Sequence, residues 1–116
     1  MVLSRIISSF HNEKGELQIE GLTPSEGEVF EIPKDDIKKL LGSEEINLFE
    51  TDSYSKRLWL EPALSVLAID APNVDESINL LIPSTKAKVS LRLPPTEDPD
   101  HAMKMLEKQD HIFHFL

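Results

Sequence analysis

The chain has 116 residues, 40% hydrophobic and 28% charged, the length and make-up of one globular domain. Its formal charge of −9, from 21 acids against 12 bases, repels DNA, RNA and anionic lipid. The absence of cysteine excludes disulfides and thiolate metal sites, and no apolar run reaches the roughly 20 residues of a membrane helix.

Residues 1–116 are expected to form a single acidic α+β domain. Met1 to Phe10 lacks the basic start and long apolar stretch of a signal peptide, so a cytoplasmic location is expected. The same segment is predicted as a first strand, with Val2, Ile6 and Phe10 set against Leu3, Arg5 and Ile7. His11 to Gly15 is a polar turn in which Gly15 takes the left-handed conformation, and Leu17 and Ile19 return on a second strand. Gly21, Pro24 and Gly27 mark a loop, and Val29 to Ile32 a third short strand.

Between Pro33 and Gly42 the period becomes helical through Ile37, Leu40 and Leu41. Asp35 and Asp36 lie in the first turn, Lys38 and Lys39 near the end, and Gly42 terminates. Ile46 to Glu50 and Lys56 to Glu61 are predicted as a second hairpin around Thr51, Asp52 and Ser53, with Trp59 in the core. Val66 to Ile69 is predicted as a buried strand from its Val and Ile content. Val74 to Ile82 fits helix or strand, and the acidic start Asp75–Glu76 favours helix.

Lys86 to Leu93 is the cleanest strand, with Ala87, Val89, Leu91 and Leu93 on one face and Lys86, Lys88, Ser90 and Arg92 on the other. Pro99 to Gln109 is a helix capped by Asp98, with an apolar stripe of Ala102, Met103 and Leu106. His111 to Leu116 alternates as a last strand. The expected architecture is a mainly antiparallel sheet with two or three short helices packed on one face.

No motif carries chemistry. His111 and His114 would share a metal on a helix but diverge on the predicted strand, so no metal site is expected. The acid pairs Asp35–Asp36, Glu44–Glu45 and Asp75–Glu76 sit at turns and helix starts, where solvated charge accounts for them. Glycines 15, 21, 27 and 42 stand singly, so no phosphate loop exists, and no serine sits in a nucleophile elbow. No cofactor is expected.

Two charged features remain. Residues 13–31 hold six acids, Glu13, Glu16, Glu20, Glu26, Glu28 and Glu31, against Lys14 alone. Lys86, Lys88 and Arg92 make a basic stripe. The leading expectation is a non-enzymatic binding module, a small acidic inhibitor or immunity-type protein that masks a basic protein partner through Glu16, Glu20, Glu28 and Glu31. The alternatives are a dimeric accessory or chaperone-like subunit, and a small enzyme with dispersed residues such as Glu61, His101 and His111. Neither nucleic acid nor membrane is an expected partner; a homodimer is compatible with the chain.

Overall fold

The computed structural model describes residues 2–43, 45 and 53–114. Helix α1 (Val2–Ser9) comes first, followed by α2 (Lys34–Leu40) and α3 (Tyr54–Trp59). The hairpin strands β1 (Ala63–Asp70) and β2 (Lys86–Arg92) then lead into the longest helix, α4 (Pro99–His114). The fold is α+β, but the expected mainly antiparallel sheet comes down, among the described residues, to this one pair of strands.

The predicted first strand is α1. Leu3, Ile6, Ile7 and Phe10 stand at i, i+3, i+4 and i+7, and this helical spacing outweighs the β-branched content. It buries Ile6 and Phe10 on one side. The turn that follows is as expected: Asn12 Oδ1 accepts from the backbone N–H of Lys14 and Glu16, and Gly15 has φ 75°. Only His11 and Leu17 pair across it, so the returning strand is a single bridge.

The third strand expected at Val29 to Ile32 is irregular chain, and two bonds hold the chain around it to α3. Ser55 Oγ, fully buried, accepts from Ile32 N–H at 3.0 Å, and Ser25 N–H donates to Leu60 O at 2.7 Å. The Ser25 and Thr96 hydroxyls also hydrogen-bond each other. Helix α2 forms where the period predicts, and Gly42 follows it at φ 77°.

The second hairpin is not formed in its described part. Residues 46–52 lie outside the described residues, and the supposed strand at Lys56 to Glu61 largely overlaps α3. Ser53 caps that helix by accepting from Lys56 N–H at 3.1 Å. Trp59, expected in the core, is 48% exposed because it lies on the outer side of this short helix.

β2 lies where the alternation placed it, and β1 contains the strand expected at Val66 to Ile69, which is exposed and not buried as expected. Leu64 faces Leu91, Val66 faces Val89 and Ile69 faces Ala87. The register shifts between Val66 and Ala68, leaving Leu67 as the extra residue of a β-bulge. Without it Ile69, three residues beyond Val66, would point to the opposite face; with it the apolar face continues. Residues 71–85 between the strands are neither helix nor strand. Asn73 organises a turn by accepting from Asp75 N–H, so the acidic pair Asp75–Glu76 lies in this turn and the helix it favoured at Val74 to Ile82 does not form.

Asp98 caps α4 by accepting from Asp100 N–H at 3.2 Å, with Pro99 at the first helical position. The expected strand at His111 to Leu116 is overturned as far as His114, where the backbone is still helical; residues 115 and 116 lie outside the described residues. The inward stripe is Ala102, Met105, Leu106 and Gln109, whereas Met103, expected inward, is exposed. Ile6, Phe10, Ile19 and Leu64 form the core, with Val89, Leu91, Met105 and Leu106 packed against it. Helices α1 and α4 thus lie together on one face of the hairpin. No described helix is long and apolar enough to cross a membrane.

Candidate functional site

The core face of the hairpin runs out from under its helices. Leu64 is 6% exposed, Val66 39% and Ile69 55%, a gradient along one face of one strand. The loop beyond continues the apolar surface with Val74, Ile78, Leu80, Leu81 and Ile82, all exposed, Leu81 at 98%. β1 also bonds to β2 along one edge only, and among the described residues nothing pairs its other edge. An apolar strand with an open edge is a template for another strand.

The molecule as a whole carries more surface than its mass requires. A 13.1 kDa monomer that covers its own core exposes about 6400 Å², whereas this chain exposes 9248 Å². Its radius of gyration is 17.2 Å against about 13 Å for a compact domain of this length. Exposed apolar surface of this kind marks a candidate interaction site.

A second feature is an open groove of about 1050 Å³ between the Asn12–Gly15 turn, α2, α3 and the start of β1. Leu41 and Leu58 contribute apolar walls, and Lys34, Arg92, Glu16 and Glu61 bring both signs of charge. Arg57 Nη2 donates to Gly15 O at 3.3 Å and so ties α3 to the turn.

The four glutamates singled out by charge are all exposed but lie on different pieces of structure. Glu16 accepts from Asn12 Nδ2 at 2.6 Å inside the first turn, and Glu20 precedes Gly21. Glu28 sits in irregular chain, and Glu31 accepts from the Ser53 hydroxyl at the start of α3. The sheet expected to align them is absent among the described residues. Lys86, Lys88 and Arg92 do share the polar face of β2, with Lys86 opposite Asp70.

Of the dispersed enzyme candidates, His101 pairs with Glu97 at 2.7 Å and Glu61 lines the groove. The argument that His111 and His114 diverge on a strand fails, since their backbone is helical. Among the described residues no three His, Asp or Glu side chains gather as a metal site. The apolar end of the hairpin was missed by sequence reasoning. Its signal was present: Val66 to Ile69 and Ile78 to Ile82 are both strongly apolar, more than the two or three short helices expected from sequence would cover.

Comparison with known proteins agrees with this geometry. The family model of the peptidase dimerisation domain matches residues 1–109. The chain is 29% identical over 112 residues to a cysteinylglycine-S-conjugate dipeptidase of Corynebacterium striatum, covering 92% of this chain and 24% of that protein. Its fold is similar to an M20 family metallo-carboxypeptidase of Sulfolobus solfataricus, with a TM-score of 0.74 at 24% identity over 99% of this chain and 33% of the other. It is also similar to a di-peptidase of Saccharomyces cerevisiae, with a TM-score of 0.68 at 17% identity over 97% of this chain and 26% of the other.

The chain therefore spans about a quarter to a third of the length of these relatives. The metal that the name metallo-carboxypeptidase implies finds no donor set among the described residues here. These matches overturn the expectation of an acidic inhibitor or immunity-type protein. Among the readings open from sequence, the dimeric accessory subunit fits them better.

Proposed function

The chain belongs to the peptidase dimerisation domain family of the M20 peptidases, and from that premise we propose that it joins two copies of a peptidase through the open edge and apolar end of its hairpin. The observation that carries the surface is the exposure gradient from Leu64 to Ile69 along one face of β1. A second copy laid along that edge satisfies the unpaired strand and covers Val66, Ile69 and the loop around Leu81 together. The partner is thus a second copy. The basic protein expected from net charge finds no support, because the uncovered surface is apolar.

Hydrolysis is assigned to parts of the peptidase outside this domain, in keeping with the share of its relatives that the chain spans. A cytoplasmic setting is proposed on the cysteine-free composition. The test is the light-scattering mass of the chain at low micromolar concentration beside a Val66→Lys, Ile69→Lys variant. Both residues are exposed, so the variant should keep its circular dichroism. The parent should have twice the 13.1 kDa chain mass and the variant the single mass. An unchanged dimer in the variant would move the interface elsewhere, and a monomeric parent would remove the proposal.

A further inference from the structure

We propose that the groove between the Asn12–Gly15 turn, α2 and α3 is a second self-association surface, through which dimers formed along β1 pair into tetramers. This rests on the dimerisation reading above. The first argument is area. The chain exposes 9248 Å², about 2850 Å² beyond a self-sufficient monomer of its mass. A standard interface takes only about 800 Å² from each partner. One such contact leaves most of the excess uncovered.

The second argument is where the remaining apolar surface lies. Leu41 and Leu58 are exposed and line the groove, apart from the hairpin end. Leu41 caps α2 and Leu58 lies on α3, helices of 7 and 6 residues that are too short to be held by their own backbone bonds. Ile37 and Ser55 are the residues they bury within the chain.

The third argument is charge, and it selects the occupant. Lys34 and Arg92 line the same groove as Glu16 and Glu61. A surface of mixed sign is self-complementary: a two-fold axis through it sets the acids of one copy against the bases of the other. A uniformly acidic or basic partner would leave half of these charges opposed by like charge.

Sedimentation velocity over a concentration series tests this, with Leu41→Glu, Leu58→Glu as the groove variant and Val66→Lys, Ile69→Lys as the edge variant. The parent should pass from dimer to tetramer as concentration rises, and the groove variant should stop at dimer. The edge variant should go from monomer to dimer only at high concentration. Added salt should weaken the tetramer step and leave the dimer step in place, since only the former joins charged groups.

A parent that never exceeds dimer overturns the second surface and leaves the dimerisation reading standing, with the groove open to the rest of a peptidase chain. A groove variant that still forms tetramers overturns it too. A parent that is monomeric throughout overturns both.

Discussion

The side-chain amide of Gln109 reaches Ser9 across 100 residues of sequence, donating to its carbonyl at 3.3 Å and to its hydroxyl at 3.2 Å. The Ser9 hydroxyl in turn donates to Ile6 O at 2.7 Å, so the end of α1 and α4 are joined by one part-buried polar network around the buried Gln109. Gln109→Ala should lower unfolding stability by about 0.5–1.5 kcal/mol, since it removes two part-buried hydrogen bonds to Ser9. Urea unfolding of parent and variant at one fixed concentration checks this; a loss within error would show that the two helices are joined by apolar packing alone.

Leu64 and Trp59 should behave in opposite ways. Leu64→Ala empties a core site and should cost about 2–5 kcal/mol. Trp59, half exposed on α3, should lose at most about 1 kcal/mol on change to Ala and should emit as a solvated indole in the dimer. Blue-shifted emission from the dimer at low concentration would place Trp59 in a core after all.

Gly21 supplies a backbone test. It has φ 89°, and a Cβ built on it would lie 2.5 Å from Met105 Sδ. Gly21→Ala should therefore destabilise by about 1–3 kcal/mol, combining left-handed strain with crowding. Adding Met105→Ala should cost less than its own effect in the parent, because the crowding is relieved. Strict additivity would leave backbone strain as the sole cause.

How far the sequence was legible depended on whether one face alone was apolar. β2 alternates without exception from Lys86 to Arg92, and α2 and α4 carry acids, prolines and glycine where helices need them, so all three were placed. The start of the chain was misread because its β-branched residues were given more weight than the helical spacing of Leu3, Ile6, Ile7 and Phe10, which packing on α4 uses. Trp59 was misplaced because a six-residue helix gives little more than one turn of period. The proposed dimer surface was hidden for a physical reason: an apolar residue on an interface looks in sequence like one in the core. Charge drew attention instead to Glu16, Glu20, Glu28 and Glu31, which the fold scatters.

Those glutamates give a prediction of their own. If an apolar strand edge holds the proposed β1 dimer, Glu20→Gln with Glu28→Gln should leave it unchanged. Light scattering at low and high salt should give the same mass for variant and parent. A dimer lost on neutralising these two positions would restore the acidic surface to the binding role.

Amide hydrogen exchange, read residue by residue while the chain is diluted, tests the central claim most directly. If two copies join along β1, amides between Ser65 and Asp70 on the edge away from β2 are protected at high concentration. They should lose that protection on dilution, while those of α1 and α4 facing Leu64 stay protected. If the outer edge of β1 exchanges freely at every concentration, or the concentration-dependent protection falls on α4 instead, the chain does not dimerise through this strand.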